Sequence, residues 1–273
     1  MRPVLLRFQL GGTEVVLGSY STLCVLAGMA ALACGTLVAA RRGLPWRRAL
    51  AVYGLALAAG IVGARVFDLA IAGALYAGDF SRIWSPTFQG FSLYGGFLTA
   101  SLGGIAFARA MHMPTWRLAD SAVPALALGL VLMRTGCFLR GCCFGVPTDL
   151  PWGVTFPPGS QAWTHQFVTG RTGILAAFGH VDPVHPTQLY EMAAAVILAA
   201  FAIWVMQRRR LAEGTAFLTF AFGFTLFSFG NGFLRVRQSG ITAPEWFYPM
   251  FYLALALLIL SLALRLNQPG RNR

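Results

Sequence analysis

The stretch "LADSAVPALALGLVLMRTGCFLRGCCFG", Leu118–Gly145, runs from an aspartate through a long apolar segment into two arginines and three cysteines. Its middle has the length and composition of a helix that crosses a bilayer, which takes about 20 apolar residues. Arg134 nevertheless sits inside that run. A charge at such a depth faces the protein interior or a wet cavity, because a lipid-facing position costs several kcal/mol. One stretch therefore sets both the solvent and a place to look for polar chemistry.

The rest of the chain repeats the apolar pattern. Of 273 residues, 57% are hydrophobic and 11% charged, well below the roughly 25% charged residues of soluble domains. Candidate spans fall at about 18–40, 50–72, 90–110, 119–139, 187–207, 214–234 and 245–265, so we expect an all-α membrane protein, a seven-transmembrane helix bundle, forming a single domain over 1–273. The net charge of +12 comes from arginine alone. These arginines lie in short clusters between spans and not along one polar face, which favours membrane topology and speaks against nucleic acid as a partner.

Placing the N-terminus outside puts twelve arginines on the cytoplasmic side: Arg41, Arg42, Arg47, Arg48, Arg109, Arg117, Arg208, Arg209, Arg210, Arg265, Arg271 and Arg273. The other side receives Arg2, Arg7, Arg82, Arg171, Arg235 and Arg237. That bias predicts N-out, C-in. No cleavable signal peptide is evident, so Gly18–Ala40 reads as a retained first span. The polar insertion 141–184, with Trp152, Trp163, His165, His180 and several prolines, reads as an extracytoplasmic arm lying at the interface.

The ionisable residues within or beside spans are Arg65, Asp68, Arg134, Arg140 and Glu191. Arg65 can pair with Asp68 as a clamp, and Arg140 and Glu191 can snorkel to the interface. Arg134 has no acid within a helical turn and is followed by Gly136, which permits close approach of a ligand or backbone. A guanidinium in such surroundings suits phosphate, which it grips bidentately. Cys137, Cys142 and Cys143 leave three readings open: reactive thiols activated by neighbouring arginines, small packing residues or a disulfide, and a thiolate metal site with His185. The C-x4-C-C spacing lacks the paired C-x2-C of common zinc modules, so no metal or cofactor is expected. Cys24 and Cys34 read as packing residues of the first span.

The order of motifs resembles the prolipoprotein diacylglyceryl transferase family: "GFSLYGGFLTA" at Gly90–Ala100, "RTGCFLRGCCFG" at Arg134–Gly145 and "HPTQLYE" at His185–Glu191. The resemblance extends from Gly63 to about Arg235. It implies a seven-span enzyme of the bacterial inner membrane that moves the diacylglyceryl group of phosphatidylglycerol onto the cysteine thiol of a lipoprotein precursor and releases glycerol phosphate. The candidate catalytic groups are Tyr94 and His185, at motif positions, and Cys142, as a thiol between arginines. Substrate would be bound by Arg65, Gly95, Gly96, Arg134, Gly136, Cys137, Arg140, Cys143, Gly145, Gln188, Tyr190, Glu191 and Arg235.

Departures from the family pattern are concentrated in its polar positions. Tyr94 stands where the family has His; Cys137 and Cys142 replace an Asn and a Glu, Arg140 replaces a second Asn, and of the family's two span-six arginines only Arg235 remains. The chemistry needs a thiolate, an aligned carbon and a cationic pocket for the leaving phosphate. Arg134, Arg140 and Arg235 can supply the pocket. For the base, Tyr94 ionises only near pH 10 unless arginines lower it, whereas His185 has a suitable intrinsic pKa. A catalytically silent relative that binds phospholipid or lipoprotein precursor is the alternative; a small-solute transporter is disfavoured because no inverted repeat is visible.

Overall fold

A computed structural model of the chain describes residues 4–10, 13–73, 76–79, 81, 83, 90–169, 181–207, 211–237 and 243–268. Arg2, Arg82, Arg171, His180, Arg208, Arg209, Arg210, Arg271, Arg273 and arm residues 170–180 lie outside these. The described residues form β1 (Val4–Leu10), β2 (Thr13–Gly18), α1 (Ser19–Arg41), α2 (Trp46–Ile71), α3 (Leu93–Ala110), α4 (Thr115–Arg140), α5 (Gln161–Val168), α6 (Thr187–Met206), α7 (Thr215–Leu234) and α8 (Phe247–Leu266).

Six of these helices, α1, α2, α4, α6, α7 and α8, are long and apolar enough to cross a membrane. The remaining expected span corresponds to α3, an 18-residue helix whose Gly95, Gly96, Gly103, Gly104, Ser101 and Arg109 dilute its apolar character. Ahead of α1 stands an antiparallel hairpin, with Arg7 opposite Val16 and Phe8 opposite Val15. The sequence reading contained no strand there. Its signal is short: the β-branched Val15 and Val16 follow a Gly11-Gly12 pair, a common hairpin turn.

Helix packing follows from small residues, because lipid tails are as apolar as leucine and backbones gain most by approaching closely. α1 packs mainly on α4 and α2 on α3, while α6 and α7 continue the bundle from α4 to α8. At the α2–α3 seam a side chain on Gly63 would run into Thr99, and one on Gly95 into Phe67. Gly96 lies against the carbonyl of Gly60, where a Cβ would come within 3.1 Å. Gly136 faces α1, where a Cβ would meet the Tyr20 Cα at 3.2 Å. The close approach at Gly95, Gly96 and Gly136 is therefore to another helix, where the family resemblance had implied substrate.

At the arginine-rich end, the buried Asp120 of α4 caps α7. Its Oδ2 accepts from Gly214 N at 2.8 Å and its Oδ1 from Phe217 N at 2.9 Å, satisfying amides that a helix leaves orphaned at its start. Gly214 takes φ +94, and a side chain there would collide with the Trp116 ring. Asp120→Ala should destabilise the protein by on the order of 2 kcal/mol, because two buried N–H donors lose a charged acceptor. Asp120→Asn, which keeps one acceptor, should cost less; thermal unfolding in detergent ranks the two.

Candidate active site

The site is assembled by the turn that ends α4. Gly141 adopts the left-handed conformation at φ 74, and Cys142 N returns to Cys137 O at 3.1 Å, the usual way a helix closes its last carbonyls. Cys143 is also left-handed, at φ 61, which is uncommon outside glycine. The chain then runs extended through Phe144–Val146 between two other elements. On one side Val146 N donates to Leu234 O at 2.8 Å and Val236 N to Phe144 O at 3.1 Å; on the other Gly145 N donates to His185 O at 2.9 Å and His185 N to Val146 O at 3.0 Å. A Cβ on Gly145 would fall 2.6 Å from the His185 Cβ and 2.7 Å from Leu234 O, so this crossing admits only glycine.

That stitch brings the "HPTQLYE" segment and Arg235 to the cysteine turn. Thr187 Oγ1 donates to Cys143 O and Gln188 Nε2 to Cys142 O, each at 2.6 Å. One turn further along α6 lies Glu191, only 5% exposed, in an ion pair with Arg134, 4% exposed. Glu191 Oε1 also receives Arg235 Nη1 at 3.4 Å and Asn231 Nδ2 at 3.2 Å. Two guanidinium groups thus share one carboxylate, a local positive excess that reaches solvent at Arg235, whose side chain is 30% exposed. Gln188 Oε1 and Asn231 Oδ1, whose amide nitrogens are already committed, are buried acceptors without a hydrogen-bond partner among the described residues.

The three thiols converge beside this centre. Their sulfurs all lie within 4.8 Å of one another, and Arg134 Nη1 approaches Cys137 Sγ at 3.9 Å. Hydrogen bonding with Cys137 and Cys143, together with burial, pushes the Cys142 thiol up. Hydrogen bonds from Cys137 and Cys142 hold Cys143 well below the ordinary thiol range, with Arg235 and Arg134 acting in the same direction. The convergence, which the sequence left open among packing, disulfide and metal-site readings, depends on two left-handed residues in a row of three.

Other expected residues are distributed around the centre. His185 Nδ1 lies 3.1 Å from Tyr190 Oη, which accepts from Trp152 Nε1 at 2.8 Å, so the motif and the arm are tied together. Arg140 stacks over the Tyr20 ring at 5.4 Å. Arg65 belongs to a separate cluster, 3.3 Å from Tyr76 Oη, 3.2 Å from Gly90 O and over the Phe91 ring, and Tyr76 donates to Asp68 at 2.6 Å; the clamp between Arg65 and Asp68 runs through this tyrosine. Tyr94 is buried against Phe251 and Tyr252 of α8, with its hydroxyl in reach of Ser228 and Thr225 on α7. Asn231 escaped the sequence reading of the site. Ser228, Asn231 and Arg235 recur at helical spacing on an otherwise apolar helix, a polar stripe that would have exposed it.

Against known families, residues 6–265 match the model described as prolipoprotein diacylglyceryl transferase. A phosphatidylglycerol–prolipoprotein diacylglyceryl transferase of Geobacter sulfurreducens is 30% identical over 237 residues, 78% of this chain and 83% of that protein. One from Rhodopirellula baltica is 30% identical over 176 residues, 61% of this chain but 35% of the longer relative. One from Paraburkholderia xenovorans is 27% identical over 210 residues, 71% of this chain and 69% of that protein.

The shared carboxylate makes a specific stability prediction. Glu191→Gln should destabilise the fold by about 3–5 kcal/mol, since it leaves the buried Arg134 without its counter-ion. Arg235→Lys should cost under about 1 kcal/mol because that side chain reaches solvent. Thermal unfolding of the two variants in the same detergent makes the comparison.

Proposed function

The chain belongs to the prolipoprotein diacylglyceryl transferase family, and on that premise we propose that it transfers the diacylglyceryl group of phosphatidylglycerol to a cysteine thiol of a lipoprotein precursor at the outer leaflet of the bacterial inner membrane. The observation that carries this reading is the buried centre in which Arg134 and Arg235 share Glu191 beside two unpartnered amide oxygens. The positive excess suits the phosphate, where charge accumulates as the leaving group departs. Gln188 Oε1 and Asn231 Oδ1 suit a headgroup that offers hydroxyl donors, as a glycerol does.

In the proposed reaction the acceptor sulfur attacks the glycerol carbon esterified to phosphate. The S–C bond forms, the C–O bond breaks, and glycerol phosphate leaves with the electron pair, its charge held by Arg134 and Arg235. His185 takes the acceptor's proton. In the tautomer proposed, Tyr190 Oη accepts both Trp152 Nε1–H and His185 Nδ1–H, leaving Nε2 as the base. Cys142 is assigned a supporting part: a thioether formed on an enzyme cysteine would be a dead end, because an alkyl thiolate is a poor leaving group from carbon. Tyr94 packs on α8, Arg65 and Arg140 are assigned to the lipid headgroup, and Gly145 closes the stitch.

The proposed topology has seven spans, with α3 as the third, the N-terminus outside, the C-terminus in the cytoplasm and 141–184 as the extracytoplasmic arm. The arginine distribution supports it. A reporter fused at the C-terminus should be active in its cytoplasmic form only.

Purified protein in vesicles with phosphatidylglycerol and a panel of cysteine peptides, followed by mass spectrometry, tests the activity. A thioether-linked diacylglyceryl peptide and glycerol phosphate are expected. Arg134→Lys should reduce turnover roughly ten- to a hundredfold by losing one charge-assisted bond of the planar fork. Phosphatidylglycerol binding without product would instead establish the silent relative, a reading that Tyr94 favours by standing among aromatic rings where the family has His.

A further inference from the structure

We propose that Cys137, Cys142 and Cys143 form a binding site for one Cu(I) ion, held in trigonal coordination by three thiolates. This goes beyond the transferase reading and does not depend on it.

The geometry comes first. Three sulfurs that each bond one metal at about 2.3 Å stand about 4 Å from each other, and these three all lie within 4.8 Å of one another. The convergence is a property of the backbone: Cys137 closes the last turn of α4, Gly141 reverses the chain at φ 74 and Cys143 is left-handed at φ 61. Consecutive residues in an extended chain point to opposite sides. The left-handed Cys143 instead brings its sulfur to the same place as that of Cys142. Side-chain hydrogen bonds from Thr187 and Gln188 to the carbonyls of Cys143 and Cys142 hold the turn from outside, so the arrangement of the main chain is fixed independently of a bound ion.

The donor set selects the ion. Thiolates are soft ligands and favour Cu(I), zinc and iron–sulfur clusters. Structural zinc takes four ligands, whereas among the described residues the group of potential ligands here contains the three cysteines alone. A three-sulfur set is complete for Cu(I). Charge agrees: three thiolates and one monovalent cation leave a complex of charge −2, and Arg134 at 3.9 Å from Cys137 Sγ, with Arg235 on the same Glu191, lies beside it. The same arginines would repel a bare hard dication. On binding, each thiol that is still protonated gives its proton to solvent, and no electron is transferred.

The test uses the full-length protein, reduced and purified in detergent, titrated anaerobically with Cu(I) buffered by bathocuproine disulfonate. A Cys24→Ser/Cys34→Ser variant serves as the background in which only the three clustered thiols remain. The expected result is one Cu(I) per chain in that background, with X-ray absorption showing three sulfurs at about 2.3 Å. Cys143→Ser, at the half-buried position, should weaken retention by at least about tenfold, equivalent to about 1.4 kcal/mol, while its thermal unfolding curve without copper stays that of a folded protein. Loss of copper in the Cys24→Ser/Cys34→Ser background, or full retention in the Cys137→Ser/Cys142→Ser/Cys143→Ser variant, overturns the assignment. Either outcome is independent of whether the peptide panel is lipidated.

Discussion

A buried carboxylate needs cations beside it, and Glu191 draws Arg134 from α4 and Arg235 from the end of α7. The remaining geometry is organised around that requirement. α4 must end within two turns of Arg134, α6 must begin one turn before Glu191, and α7 must stop where Arg235 can fold back. The stitch through Phe144–Val146 satisfies all three conditions with backbone hydrogen bonds alone. Two guanidinium groups therefore meet one carboxylate, with the Cys137 and Cys143 thiols beside them.

Much of this was legible in the sequence, and for physical reasons. Apolar runs of span length have few alternatives, so α1, α2, α4, α6, α7 and α8 all fall on expected segments. Arg134 was conspicuous because charge in a span is rare. Less legible were features that depend on long-range approach. Gly95, Gly96 and Gly136 looked like room for a ligand, yet glycine also serves two backbones in contact, and composition cannot distinguish the two. Cys137, Cys142 and Cys143 have no recognisable spacing because two left-handed residues bring the sulfurs together. The β1–β2 hairpin was hidden by its own brevity beside a long apolar helix.

The thiol cluster and the arginine centre are neighbours that answer different chemical questions. Guanidinium groups suit hard oxygen anions; thiolates suit soft cations. Arg134 belongs to both, through Glu191 on one side and Cys137 on the other. Where the family resemblance puts amide and carboxylate groups, this chain has changed the donor atoms from oxygen and nitrogen to sulfur while keeping the guanidinium. The scaffold accepts that exchange because the turn is held by Thr187 and Gln188 through main-chain carbonyls, which are indifferent to the side chains at Cys142 and Cys143.

The arm leaves and re-enters the bundle through a closed neck. Pro147 and Val154 both bridge to Val184, Thr148 N donates to Pro183 O at 2.9 Å, and Gln166 exchanges two hydrogen bonds with the main chain of Asp182. With both ends fastened, the segment between Val154 and Val184 is decoupled in length from the helices. Residues added there would cost only the slow logarithmic growth of loop entropy, whereas one residue added between Gly141 and Gly145 would break the pairing on both edges of the stitch. The segment between Val154 and Val184 can therefore change in length while the ionic centre keeps its dimensions.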